Sequence, residues 1–497
     1  MKKSLVAFDT DRIKNYVFCT PSLKEIRGAS AILDQLNREE MASVVGGEQI
    51  YANGGSGLFV VDSDIVASAL SAVQHLYQTA THSATITGAS VDIPLEEDDL
   101  RDELALLRHR LRANKTNKHE VETAVSHPLL RFCSACGSSY SRTEVDDASL
   151  CRSCDAKRHE DMQVKQQIEA WISGTTPDPA RLWGRLVRDL SIKGYPIAGR
   201  NRPEDFGQLG DISSPSGYMA LLYADGDSIG TELDSISTID ALRGFSQAVD
   251  SSVYDAVADA ISTHLQPEDD TVLPFDILLL GGDDLVMVMT ADRALDVAAH
   301  VVERFTQLTT ERWGRPLHLS VSVTFSHINY SIGPLIHLAE SSLKFAKREA
   351  ARRRLEGKVI DGGLINFLVV SSSNHLDFGQ YFRQTLRTEE EAEVLVRSCR
   401  PYSVEEMRTL LTTVRGIRSV PRTKLEQMRS AVFKSRRQGN IDAIMALLRL
   451  RNHEQRQQLL NLFGDSVQDQ VYLPWRRDGE YWVTPVLDII ELLDFVR

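Results

Sequence analysis

Two apolar runs, Phe275–Leu280 and Leu285–Met289, flank the four residues Gly281-Gly282-Asp283-Asp284. That arrangement predicts a β-hairpin, because glycine reaches left-handed backbone conformations without a steric penalty and lets a phosphate approach closely. The two acids then stand side by side at the start of a rigid strand, where a divalent cation would relieve their repulsion. By itself the hairpin also fits a solvated, Asp-rich turn. A second apolar run, Tyr218–Tyr223, ends in Ala224-Asp225-Gly226-Asp227-Ser228-Ile229-Gly230. In a βαβ-type sheet these strand ends lie together, so Asp225, Asp227, Asp283 and Asp284 are expected to converge. An all-oxygen set of that kind suits Mg²⁺ or Mn²⁺ bridging nucleotide phosphates in two-metal phosphoryl transfer.

The rest of the 218–370 segment supports a catalytic domain around that point. Helices are expected at about 238–265, 294–313 and 333–356, with further strands at 317–326 and 358–369. The last helix carries Lys344, Lys347 and Arg348 off its apolar face, and a lysine there could hold a triphosphate as a mobile point charge or simply be solvated. Residues 1–125 repeat the order: a strand ending in Asp9-Thr10-Asp11, a helical stretch to Asn37, then the turn Asn53-Gly54-Gly55-Ser56-Gly57. We read this as an internal duplication. The expected organisation is an α/β (α+β) protein with a first α/β unit (1–125), a metal module (126–165), a helical connector and linker (166–217), a second, catalytic α/β unit (218–370) and a helical C-terminal domain (371–497).

Cys133, Cys136, Cys151 and Cys154 form CxxC-x14-CxxC, the spacing of a closed tetrahedral zinc site that is structural rather than catalytic. Cys19 and Cys399 read as packing residues. The formal net charge of −13 argues against a surface coated in nucleic acid. Residues 397–457 depart from it, with 14 Lys plus Arg against 5 Asp plus Glu. That stretch could face RNA, DNA or an acidic partner subunit, or be a solvated arginine-rich helical surface. His119-Glu120, His159-Glu160 and His453-Glu454 read as surface pairs, and Glu96-Glu97-Asp98-Asp99 as a solvated helix start. No apolar run approaches the ~20 residues of a membrane span, and the N-terminal one stops at Asp9, too short for a signal peptide. A cytoplasmic protein is expected.

The Asp-Gly-Asp-Ser-Ile-Gly strand end, the Gly-Gly-Asp-Asp hairpin and the Ala346-Lys347 helix together resemble the CRISPR polymerase family, the large palm-domain subunits of type III CRISPR effector complexes, related to GGDEF-type cyclases. The segments Asp9–Phe18 and Leu23–Ser30 look like that family's first palm. The resemblance implies two ferredoxin-like palms with a zinc module between them, and synthesis of cyclic oligoadenylates from ATP in antiviral defence. Carried over by position, Asp225, Asp283 and Asp284 would hold the metal ions with Asp227 alongside. Gly226, Ser228, Ile229, Gly230, Gly281 and Gly282 would line the nucleotide, and Lys347 would contact the leaving phosphates. The turn Gly54-Gly55-Ser56-Gly57 lacks acids, so the first palm should bind a nucleotide or merely pack. Partners implied are guide RNA, target RNA, and small helical and repeat-backbone subunits. No His-Asp dipeptide occurs, so the family's HD nuclease activity is not expected. Two rivals stay open: a stand-alone cyclic nucleotide synthetase without CRISPR partners, and a scaffold whose palms only bind nucleotides.

Overall fold

The computed structural model describes residues 2–94, 99–118, 129–145, 147–175, 179, 181–197, 199–268, 271–358, 362–370, 377–390, 393–461 and 471–497. Its first sheet contains β1 (Lys3–Thr10), β2 (Glu48–Asn53), β3 (Ser56–Asp62) and β4 (Ile86–Ile93) in the order β2-β3-β1-β4. Side chains alternate across β1. Val6 and Phe8 join the core of the Leu23–Gln35 and Val66–Thr81 helices, while Leu5 and Ala7 face the Arg101–Asn117 helix. The acidic run 96–98 and the pair His119-Glu120 lie outside the described residues.

Two short strands, β5 (Thr143–Val145) and β6 (Ala148–Leu150), carry the cysteine segment into a helix, Arg152–Ile172. That helix starts among the cysteines, inside the expected metal module, with Cys151 as its N-cap; a second helix, Leu182–Ile192, follows. The expected linker contains a short helix, Phe206–Asp211. Gly28 explains how closely the Leu23–Gln35 helix meets the Arg152–Ile172 helix: a Cβ there would fall 1.7 Å from the carbonyl oxygen of Lys157. Buried Arg27 bonds Asp161 of that helix and Asp276 of the second palm. It thus ties three parts of the molecule together.

The second palm is built on β7 (Tyr218–Asp227), β8 (Phe275–Gly281), β9 (Asp284–Thr290), β10 (His318–His327) and β11 (Ile365–Val369), in the order β11-β10-β7-β9-β8. Apart from the added β11, this is the strand order of the first sheet. Ala220, Leu222 and Ala224 share a core with the Ile239–His264 and Ala294–Trp313 helices, and the Ile332–Leu355 helix covers the opposite face. The expected start of β11 at Lys358 moves to Ile365, with 359–361 outside the described residues.

The C-terminal part differs from the helical expectation. Besides helices such as Val404–Gly416, Arg422–Val432 and Arg436–Leu448, it holds a five-stranded sheet: β12 (Arg387–Glu390), β13 (Glu393–Val396), β14 (Val471–Tyr472), β15 (Trp475–Asp478) and β16 (Tyr481–Val483). These strands are two to four residues long, too short for a period-2 pattern to register. Their central pairing, Leu395 with Trp482, joins residues far apart in the chain. Much of the basic excess of 397–457 is spent inside the molecule: Arg400 on Asp488 and Glu491, Arg408 on Glu303, Arg415 on Asp296 and Arg436 on Glu393. Among the described residues, no helix is long and apolar enough to cross a membrane.

Candidate active site at the ends of two strands

The ladder of β7 with β9 pairs Ala224 with Leu285, which brings the next residues, Asp225 and Asp284, to adjacent strand ends. Asp283 occupies the turn just before. A Cβ on Gly226 would fall 2.7 Å from an Asp283 carboxylate oxygen, so only glycine lets the acid lie against β7. Gly282 has φ +63, the left-handed conformation expected of this turn. Three carboxylates are thereby held together in a half-buried recess. Burial, then the charges of Asp225 and Asp284, pushes the Asp283 carboxyl up to about 7. Burial and Asp225 push Asp284 up to about 6, while Lys14 and Lys347 pull it down.

Lys347 lies where the sequence put it, on the helix facing this recess. Its Nζ donates to Asp225 Oδ2 at 2.6 Å and to the Gly226 carbonyl at 2.7 Å. Asp227 is placed differently from the other three acids. It is buried, its Oδ2 accepts from Ser320 and Arg354 at 2.9 Å each, and its Oδ1 has no protein partner. Ser228 (φ +61) opens the short Ile229–Asp234 helix, and Gly230 faces open space.

Several contributors carried no readable signal in the sequence. Lys14, from the first palm, donates to Glu340 of the second at 3.2 Å and lies 4.8 Å over the Tyr223 ring. Arg38, also from the first palm, bonds Asp250 at 2.8 Å, and the same Asp250 oxygen accepts the Gly282 N–H at 3.1 Å. The Gly281–Asp284 turn is therefore fastened by a residue of the N-terminal sheet domain. The turns themselves touch: a Cβ on Gly54 would fall 3.0 Å from the Gly281 carbonyl oxygen. Contacts across this junction are reciprocal, the Leu23–Gln35 helix packing on β8 and the Ile239–His264 helix on β2.

Among the described residues, the four cysteines are the one group of three or more metal-ligating side chains whose ligand atoms all lie within 4.8 Å of one another. The carboxylates of 225, 283 and 284 do not draw together that closely; the Lys347 ammonium sits on Asp225 instead. The donor set nonetheless fits a divalent cation, since three neighbouring acids, two of them desolvated, leave a charge excess that one lysine does not cancel. The thiols fit zinc: Cys136 and Cys151 sulfurs are 3.9 Å apart, and a tetrahedral site with ~2.3 Å bonds needs about 3.8 Å. Cys19 does more than fill space, since the buried Lys157 ammonium reaches its sulfur at 3.2 Å and the Tyr16 carbonyl at 2.6 Å. Glu160 is likewise no surface residue, being paired with Arg181 at 2.8 Å.

Residues 218–356 match the family model of the Cas10/Cmr2 second palm domain. No curated protein matches the chain by sequence. Among solved structures, Csm1 from T. onnurineus is similar over 100% of this chain and 70% of its own, with 14% identity and a TM-score of 0.57. A Csm1-Csm4 cassette in complex with one ATP gives 13% identity and a TM-score of 0.56, with the same coverage of both chains. A cassette in complex with cA3 gives 13% and 0.54, again covering 100% of this chain and 70% of that one. At these identities the structural likeness speaks for the fold, and the sequence match for the domain that holds the acids. The 218–356 segment is a second palm domain of the Cas10/Cmr2 family, the large palm-domain subunits of type III CRISPR systems.

Proposed function

We propose that this chain is a metal-dependent nucleotidyltransferase that converts ATP into cyclic oligoadenylates within a type III CRISPR defence system. The observation that carries the reading is the meeting of Asp225, Asp283 and Asp284 at adjacent strand ends with Lys347 on Asp225, in a domain that matches the family model. Relatives of the same fold have been captured with ATP and with cA3. Asp225, Asp283 and Asp284 would hold Mg²⁺ or Mn²⁺, which when bound acidifies the attacking ribose hydroxyl and offsets charge on phosphorus. Lys347 would swing from Asp225 to the phosphates, and Gly281 and Gly282 would leave room for them. Asp227, clamped by Arg354 and Ser320, would position the strand end rather than bind metal. Lys14 and Arg38 would make the first palm a structural half of the site. Zinc would be held by Cys133, Cys136, Cys151 and Cys154 as a fold-stabilising ion. Guide RNA, target RNA, and small helical and backbone subunits are the proposed partners, with target RNA as the activator.

The test is incubation of the protein, alone and in the complex purified from its host, with Mg²⁺ or Mn²⁺ and each labelled nucleoside triphosphate. Products are resolved by mass beside the Asp283→Ala/Asp284→Ala variant. Cyclic adenylates that vanish in the variant support the proposal. A different base, or a product formed equally by the variant, removes it.

A further inference from the structure

A cleft of about 1010 Å³ separates the Ile332–Leu355 helix from the C-terminal sheet. It is at or beyond the upper end of the ~300–1,000 Å³ range of small-molecule pockets. Its lining holds seven Lys or Arg side chains against three acids, in a chain whose formal net charge is −13. Some of those cations are already engaged: Arg400 is buried on Asp488 and Glu491, and Arg352 and Arg353 share Glu349. Arg476 and Arg477 on β15 are different. Both are exposed, and neither has a carboxylate within ion-pair distance among the described residues. Arg476 reaches the Cys399 sulfur at 3.7 Å with Glu406 and Asp478 farther off, and Arg477 reaches the Gly479 carbonyl at 3.2 Å and lies 5.9 Å from the Trp482 ring centre.

Beside these two guanidinium groups stands Tyr481, 43% exposed, with the Arg387 guanidinium 5.7 Å from its ring centre. Half-buried Phe345 and Phe382 line the same cleft. Exposed guanidinium groups without a close carboxylate, next to a partly exposed tyrosine ring, are the chemistry that takes phosphodiesters and unstacked bases together. An acidic peptide would use the cations and leave the rings idle. We propose that this cleft binds a short segment of single-stranded nucleic acid, with Arg476 and Arg477 on its phosphates and Tyr481 under a base.

The helix forming one wall gives the site a route to the recess of acids. Lys347 and Arg354, seven residues apart, point to Asp225 and Asp227. Phe345, Glu349 and Arg352 lie on another stripe of the same helix, towards the cleft. The proposal does not depend on the synthetase reading, because binding is measured without catalysis.

The experiment is fluorescence anisotropy of the full chain with labelled single-stranded RNA and, separately, DNA of about 12 nucleotides, a length within the usual site size. Arg476→Glu/Arg477→Glu is expected to weaken binding at least tenfold and to lower the dependence of log K on log salt by about 1–2. Tyr481→Ala should weaken it about threefold or more at unchanged salt dependence. Asp283→Ala/Asp284→Ala should bind as the parent does. Arg422→Glu, exposed and outside the cleft, controls for net charge. If the double reversal fails to fold, Arg477→Gln with Tyr481→Ala replaces it. A preference for RNA or DNA names the strand. Affinity unmoved by the cleft variants, equal loss with Arg422→Glu, or equal competition by poly-glutamate overturns the proposal.

Discussion

The two palms differ less in their frame than in two residues of one turn. In the first, Lys115 bonds Asp9 at 2.6 Å and the Thr10 carbonyl at 3.2 Å; in the second, Lys347 bonds Asp225 and the Gly226 carbonyl. Lys118 holds Asp11 at 2.8 Å where Arg354 holds Asp227 at 2.9 Å. Asn53 pairs with Ser56 across one turn as Gly281 pairs with Asp284 across the other, which sets Gly55 and Ser56 opposite Asp283 and Asp284. The first palm thus keeps the Asp-x-Asp end and its cations and lacks both turn acids. A lone carboxylate beside a lysine is a neutral ion pair; adding two more creates the charge excess that calls for a metal ion.

The largest expected effect tests that difference directly. Asp225→Asn should lower nucleotide synthesis by roughly 10³-fold or more, whereas Asp9→Asn should cost less than about tenfold, both followed by product mass. Comparable losses at the two positions would mean that the first palm also reacts. Next comes the link between the palms. Arg38→Met leaves Asp250 without its partner and should lower turnover on the order of tenfold, through a misplaced Gly282, with the melting temperature falling by an amount equivalent to about 1–3 kcal/mol. Turnover unaffected by this change would make the link a packing contact only.

A third effect runs in the opposite direction. The carboxyls of Asp283 and Asp284 titrate above their ordinary 3.8 in the folded chain, so the native state binds more protons than the unfolded one. Stability contributed here declines as pH rises from about 4 to 7. In EDTA at pH 8, Asp283→Asn/Asp284→Asn should therefore be more stable than the parent by about 1–3 kcal/mol, read by denaturant titration. Ser56→Ala, at the position of the first turn that matches Asp284, should give no such gain. The smallest effect lies in the second palm's helical layer, where His264 Nε2 and His300 Nδ1 are 3.0 Å apart. Burial lowers both, His300 further lowering His264, while Asp296 opposes at His264 and Asp259 and Glu303 oppose at His300. Protonation then favours the unfolded chain, so stability should fall slightly as pH drops below about 6.5, by a few tenths of a kcal/mol. His300→Gln should flatten that slope.

What the sequence revealed was what lies close along the chain. The Gly-Gly-Asp-Asp turn, the Asp-x-Asp strand end and the paired CxxC each concentrate their chemistry in a few residues, so pattern alone placed them. Lys347 was legible because its helix period is regular. Lys14, Arg38, Asp250 and Arg354 were not, because an exposed arginine and one reaching a remote carboxylate look alike until the chain folds. The same limit governs 397–457, whose positive balance is answered by Glu303, Asp296, Asp488 and Glu393 from other segments. The C-terminal sheet escaped the helical expectation because its strands are two to four residues long and its central pairing joins distant segments.

Gly54 against Gly281 has a mechanical implication. Where side chains separate two bodies, rotamer changes absorb small displacements; here peptide units abut and leave no such slack. Any rotation of one palm is delivered undamped to the peptide next to Asp283 and Asp284, as a shaft without a bearing passes on every wobble. Whatever binds the first palm therefore has a direct mechanical grip on the geometry of the second.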